Sequence, residues 1–279
     1  EGFLENYSYE LEEDPEGRGG KLFMCLEILN NDAEAEEMAE AMFKNLKQAF
    51  YEHVDNSLYD RFEYAVKKVN AVLEEYRASK VSRFIGNLNV VIAALASNEF
   101  FLTQSGDAEA YLIRKRYVSV ISEGLSDGGD SGDFFVNIGS GYLEPHDTAL
   151  LSSSRLLRYM TKNDLAKFLT IPGKAQTLTE ALSLLQDHLI TEILGRSALI
   201  ALRVPEDAFR PEGEEEGSAG MAGEQVKAVS LPGWLQKFSA HKHVLRFFEW
   251  GGKKTKSIFA RRAVFSVREF AKDRILVAL

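Results

Sequence analysis

The stretch LLSSSRLLRYM, residues 150–160, runs apolar, breaks into three serines and resumes with helical spacing. A strand that stops abruptly before a helix turns the backbone so that a side chain projects into a cleft, and Ser154 sits at that break. Serine chemistry needs a base within hydrogen-bond reach. The five histidines, His53, His146, His188, His241 and His243, stand in no motif that would place one there, and no G-x-S-x-G elbow is present. Helix capping and structural histidines are therefore expected. A second chemistry is suggested by ISEGLSDGGDSGD, residues 121–133, whose spaced Asp and Gly look like a calcium loop. The Glu that closes a twelve-residue calcium loop is absent, so this stretch reads as a plain loop. Cys25 is the only cysteine. An internal disulfide is thereby excluded, and its apolar setting, KLFMCLEIL, marks it as core in a protein of a reducing compartment.

The elements that must position these residues follow from the periods. FLENYSYELEE alternates like an exposed edge strand, and KLFMCLEIL is a continuous apolar run of strand length. Two helices come next, with faces made of Met38, Met42, Leu46 and Phe50, then of Leu58, Phe62, Ala65, Val66, Val69 and Leu73. NVVIAALAS, EFFLTQSG, AEAYLIRK and YVSVIS then read as four strands of an antiparallel meander. Phe134–Ile138 and Thr148–Ser152 are further strands. Thr161 with Asp164, and Thr177 with Glu180, have the spacing of capping boxes, and the second opens a helix with a buried face at Leu178, Leu182, Leu185, Leu189 and Ile193. SALIALRV closes the domain as a strand. This order predicts an α+β sandwich, two packed sheets covered by helices on their outer faces.

Charge divides the chain. Residues 231–279 hold 11 Lys or Arg against 3 Asp or Glu, a net +8, so the remainder carries −17 of the total −9. Between them, residues 206–230 form an acidic, Gly- and Glu-rich linker. The expected organisation is a folded domain at 1–205, the linker, and a basic amphipathic helical tail at 231–279. In the tail, Lys253, Lys254, Lys256, Arg261 and Arg262 would contact an anionic membrane surface. Nucleic acid is the less favoured partner, because no recognised module accompanies the basic residues. The chain starts on Glu1, which reads as a processed chain or a fragment, and it stops on ILVAL, which resembles the first turn of a membrane span.

Within residues 1–205 the ordered motifs resemble one family, the metal-dependent protein phosphatases of the PPM or type 2C class. GDAEAYLIR, residues 106–114, resembles that family's G-D-S-R-A-Y hairpin. KLFMCL sits where its Asp-Gly-Met-Gly-Gly strand begins. GNLNVVIAAL is similar to its G-T-T-x-x-x-A-L strand, GYLEPHDTALLSSSRLL to L-x-P-G-D-x-L-L-L-C-S-D-G-L, and LGRSALIALRV to the closing G-x-D-N-x-T-x-x-x-V strand. The resemblance implies a four-layer αββα sandwich in which carboxylates at strand ends hold two Mg²⁺ or Mn²⁺ ions that activate water against phosphoserine or phosphothreonine.

The matching positions depart from that chemistry. The first Asp-Gly corresponds to Glu27 and Ile28, the Asp-Gly after the serines to Ser154 and Arg155, and the last Asp-Asn to Ser197 and Ala198. Two of the three principal carboxylates are thus hydroxyls, and Glu27 and Asp107 are the residual metal candidates. Asp32, Glu34, Asp127, Asp130, Asp133 and Asp147 offer other carboxylates, each read as a surface or structural residue. Arg155 places a positive charge where a cation would sit, a repulsion of about 4 kcal/mol per unit charge at ~4 Å and an effective dielectric of about 20. The expectation is a pseudophosphatase with no catalytic residue and no cofactor, binding a protein partner at the cytoplasmic face of a membrane. Two alternatives stay open. One is an active Mg- or Mn-dependent phosphatase using Glu27, Asp107 and relocated ligands. The other is a phosphopeptide or anion-binding module using Arg155 and Arg196.

Overall fold

A computed structural model describes residues 2–11, 19–29, 33–52, 56–79, 87–96, 98–126, 133–170, 177–192, 197–204, 244–246 and 276–278. One sheet contains β1 (Phe3–Glu10), β2 (Lys21–Ile28), β3 (Leu88–Ala96), β4 (Glu99–Ser105) and β7 (Ile138–Tyr142), neighbours in that order and antiparallel. The second contains β6 (Tyr117–Val120), β5 (Glu109–Arg114), β8 (Thr148–Ser152) and β9 (Leu199–Arg203), again antiparallel. Helices α1 (Ala33–Glu52) and α2 (Leu58–Ala78) cover the first sheet, and α3 (Lys162–Leu169) and α4 (Leu178–Glu192) cover the second. This is the expected four-layer αββα sandwich. Short strands β10 (Val244–Arg246) and β11 (Leu276–Ala278) lie beside β7 and β9. They are the described part of the segment read as a helical tail. The linker and the tail lysines and arginines named above lie outside the described residues.

Each central strand is buried on both faces, which is why the strands read as unbroken apolar runs. Along β2, Leu22, Met24, Leu26 and Ile28 pack under α1 and α2, while Phe23 and Cys25 enter the layer between the sheets. Along β9, Ile200 and Leu202 enter that middle layer, and Leu199 and Ala201 pack under α3 and α4. The helix faces read from sequence are the buried ones: Met38, Met42, Leu46 and Phe50 on α1, and Leu182, Leu185 and Leu189 on α4. Both capping boxes form. The Asp164 N–H donates to Thr161 Oγ1 at 3.2 Å, and Thr177 and Glu180 exchange reciprocal bonds of 2.9 and 3.2 Å.

Two expectations are corrected. The four middle strands are no continuous meander, because β3 pairs with β4 in one sheet and β5 with β6 in the other. GDAEAY is therefore a crossing between sheets rather than a hairpin. The β5–β6 hairpin turns instead at Lys115 and Arg116, both left-handed with φ of 49° and 69°. Phe134–Ile138 is not a strand either, and β7 starts only at Ile138. The backbone of Phe135 is taken by the Asn70 side chain on α2, its N–H donating to Oδ1 at 3.0 Å and its carbonyl accepting from Nδ2 at 2.9 Å.

At the end of the second sheet away from Ser154, Arg114 closes a buried knot. Its guanidinium donates to both carboxylate oxygens of Asp147, which is 1% exposed, and to Glu144 at 2.9 Å. His146 beside it has φ 67°, the left-handed conformation that suits the glycine of the similar Pro-Gly-Asp turn. Replacing Arg114 by Met leaves the Asp147 carboxylate buried without its cation. A loss of about 3–5 kcal/mol is expected, read from the midpoint of urea unfolding.

Candidate functional site

The candidate site, called the cleft below, is the end of the sandwich where β2 and β8 finish and β3, β5 and β9 begin. The crossing at Gly106 sets it. Gly106 has φ 71°, and a Cβ there would lie 2.2 Å from the Leu88 carbonyl oxygen and 2.5 Å from Asn89 Oδ1. The chain is pinned at this point by the Asp107 N–H, which donates to Asn89 Oδ1 at 2.8 Å, and by Gln104 Nε2, which donates to the Gly106 carbonyl at 2.6 Å. The same Asn89 donates through Nδ2 to Glu27 at 2.9 Å. One amide thus joins the two residual metal candidates. Glu27 continues the inward-facing parity of Phe23 and Cys25, whereas Ile28 is buried under the helices, away from the cleft.

The two serines meet. Ser154 Oγ and Ser197 Oγ lie 2.9 Å apart and share a hydrogen bond. Backbone ties make this possible: the Ser153 N–H donates to the Ala198 carbonyl at 3.0 Å, the Ala198 N–H donates to Ser153 Oγ at 3.1 Å, and the Cys25 thiol donates to the Ala198 carbonyl at 3.1 Å. Burial pushes the Cys25 thiol well above its ordinary range, so it remains a protonated donor. Ala198 itself packs in the layer between the sheets.

Asp107 faces two guanidinium groups. Its carboxylate lies 3.0 Å from Arg155 Nε and 2.8 Å from Arg158, and Arg155 Nε is also 3.8 Å from Glu109. Glu109 accepts from the Tyr111 hydroxyl, whose oxygen accepts the Leu156 N–H at 2.7 Å. Burial, and then the carboxylate of Glu109, raise the Tyr111 pKa, so the phenol stays protonated to donate. These bonds fasten the 155–158 turn to β5 and to the crossing.

Of the residues expected at the site, Glu27 and Asp107 meet through Asn89, Asp107 pairs with Arg155, and Ser154 meets Ser197. Asn89 and Arg158 were not expected there. The i, i+3 repeat in RLLR was the available signal for Arg158. Asp147 belongs to the Arg114 knot, Asp133 is exposed, and His188 packs against Phe168 with ring centroids 5.3 Å apart. Asp32, His53, Asp127, Asp130 and Arg196 lie outside the described residues. Among the described residues, no three His, Cys, Asp or Glu side chains come together in a group able to hold a metal ion. A pair of hard divalent ions does not fit this donor set. One carboxylate is bonded to an amide, another is ion-paired to two arginines, and the remaining positions are neutral hydroxyls bonded to each other.

This geometry can be set beside known proteins. No family profile and no curated protein matches the sequence. Solved structures do match. PppA of Pseudomonas aeruginosa, described as a key regulatory component of its T6SS, superposes with a TM-score of 0.51 at 15% identity, over 71% of this chain and 97% of its own. A serine/threonine phosphatase of S. agalactiae gives 0.52 at 12% identity, over 71% and 98%. The catalytic domain of the phosphatase PstP, solved with two manganese ions, gives 0.50 at 13% identity, over 71% and 96%. The fold is that of the PPM-type serine/threonine phosphatases. At these identities the likeness concerns the fold, and the cleft has to be read from its own residues.

Burial, opposed by the Asn89 hydrogen bond and assisted by Asp107, raises the pKa of Glu27. A carboxyl whose pKa is higher folded than unfolded favours the fold below its ordinary value, and that contribution is lost as pH rises through the folded value. Glu27→Gln keeps an acceptor for Asn89 and removes the charge. The variant is expected to be more stable than the parent at pH 7, with the difference closing below pH 4, as measured by thermal unfolding across pH.

Proposed function

We propose that this chain is a PPM-fold pseudophosphatase, a non-catalytic domain that acts as a regulatory or protein-binding module. The observation that carries the reading is the hydroxyl pair Ser154–Ser197, 2.9 Å apart, where the similar motifs place two metal-binding carboxylates. A hydroxyl is a neutral and weak ligand for Mg²⁺ or Mn²⁺. Arg155 and Arg158 supply cationic charge to Asp107, and a divalent ion would have to displace them against like-charge repulsion. The active-phosphatase alternative asks Glu27 and Asp107 to do what these contacts already occupy. The anion-binding alternative asks Arg155 to leave a carboxylate 3.0 Å away.

That a protein of the same fold, PppA, is described as a key regulatory component supports a regulatory role that includes protein interaction. A place at the cytoplasmic face of a membrane rests on the basic tail, residues 231–279. No helix among the described residues is long and apolar enough to cross a bilayer.

Calorimetric titration of Mn²⁺ and Mg²⁺, alongside hydrolysis of an aryl phosphate, is expected to give neither binding heat nor turnover. Turnover that disappears in Glu27→Ala or Asp107→Ala would overturn the assignment. For the tail, the full chain is expected to pellet with vesicles containing phosphatidylserine and a chain ending at residue 230 is not. Pelleting should weaken between 0.05 and 0.5 M salt, as about 1 kcal/mol per basic residue near the surface is screened. Equal pelleting of the two chains removes the membrane argument.

A further inference from the structure

Beside the cleft, the turn at 157–160, α3 and α4 enclose an open groove of about 940 Å³. Its apolar lining comes from Leu157, Met160, Phe168 and Leu184, and Leu184 is 49% exposed although it sits on a helix whose opposite face is core. Arg158, Lys167 and His188 also line it, against a single carboxylate, Asp164. Lys167 pairs with Asp164 at 2.9 Å and Arg158 with Asp107 at 2.8 Å, so the charges are partly compensated. The balance here is still the reverse of the chain outside the tail, which carries −17. An occupant suited to this groove carries an apolar anchor and negative charge.

The chain delivers such a segment next to it. β9 ends at Arg203, whose guanidinium donates to the carbonyl of Leu169 at the end of α3 and, through Nε, to Thr148 Oγ1 at 3.2 Å. Leu169 directly follows Phe168 of the groove lining. Residues 205–216 then read PEDAFRPEGEEE, six acidic residues and one arginine around a lone aromatic, Phe209. Phe209 is the fifth residue after Val204, a span of up to about 17 Å when extended, longer than the ~12 Å rise of the eight-residue α3 that borders the groove.

We infer that the α3–α4 groove is the intramolecular docking site of the acidic segment 205–216, with Phe209 as its apolar anchor and Lys167 and Arg158 facing its carboxylates. The groove is then occupied by the chain's own linker, and an external acidic partner gains it only by displacing that segment. This does not depend on whether the cleft is catalytic.

Because Cys25 is buried, a cysteine introduced as Gly213→Cys in the full chain can be labelled selectively with a nitroxide. The oxidised label is expected to erase the amide signals of Phe168, Leu184 and His188 while sparing those of β1, and reducing the label restores them. Leu184→Glu, at an exposed position, should return the signals without unfolding the domain. So should Phe209→Ser, and Glu214, Glu215 and Glu216 changed together to Lys. The inference is overturned if the groove signals survive the oxidised label, or if their loss is indifferent to all three changes. It is equally overturned if the loss appears only between labelled and isotope-enriched copies in a mixture, which would assign the groove to a second molecule.

Discussion

The cleft depends on how the chain leaves β4. At Gly106 it turns from one sheet to the other so tightly that no Cβ fits against Leu88 and Asn89, and the backbone of Asp107 is held by an amide that also holds Glu27. With its backbone fixed, the Asp107 carboxylate can only choose partners near the crossing. The loop after β8 brings two guanidinium groups within reach. Tyr111 fixes that loop in turn, since its hydroxyl donates to Glu109 and accepts from Leu156. A short network therefore closes over the rim of both sheets, its members tied to one another by hydrogen bonds or, for Arg155, by ion pairs.

Carboxylates gathered at strand ends repel one another and need positive charge among them. A divalent ion concentrates two charges at a point and demands several oxygen ligands, whereas a guanidinium brings one permanent charge in a planar fork. Replacing the first by the second requires fewer carboxylates, which agrees with hydroxyls at 154 and 197. The arginine pairs contribute little to stability. Arg155, Arg158 and Asp107 are 39%, 53% and 46% exposed, and such pairs are worth about 0.2–1 kcal/mol each. Their effect is to occupy and orient. The Arg114–Asp147 pair, at the far end of the same two strands, is buried and has the opposite role.

The layer order was legible because the strands' two buried faces leave continuous apolar runs and because the helices carry their faces and capping boxes in the sequence. What was illegible is which sheet receives a strand. Gly106-Asp107 announces a turn, but a turn within a sheet and a crossing between sheets use the same residues. Phe134–Ile138 has strand-like composition, yet a side chain 65 residues away, Asn70, takes its backbone bonds. Positions 27, 107, 154, 155 and 197 are legible because each lies in an ordered motif. Asn89 and Arg158 act through partners 62 and 51 residues distant; the RLLR spacing places Arg158 beside Arg155, but nothing along the chain names Glu27 or Asp107 as the partners.

The arginine network also bears on the neighbouring surface. Arg158 is shared between the cleft and the wall of the α3–α4 groove, and Leu156, two residues before it, is anchored by Tyr111. In a centre organised by metal, the conformation of this turn would be tied to an exchangeable ion. Here it is tied to residues of the chain itself, so the groove wall is formed in advance of any ligand. A preformed surface spares the ordering cost that binding otherwise incurs, about 0.5–1.5 kcal/mol for each long side chain immobilised. One residue, Arg158, thus couples the charge balance at Asp107 to the shape of the groove wall.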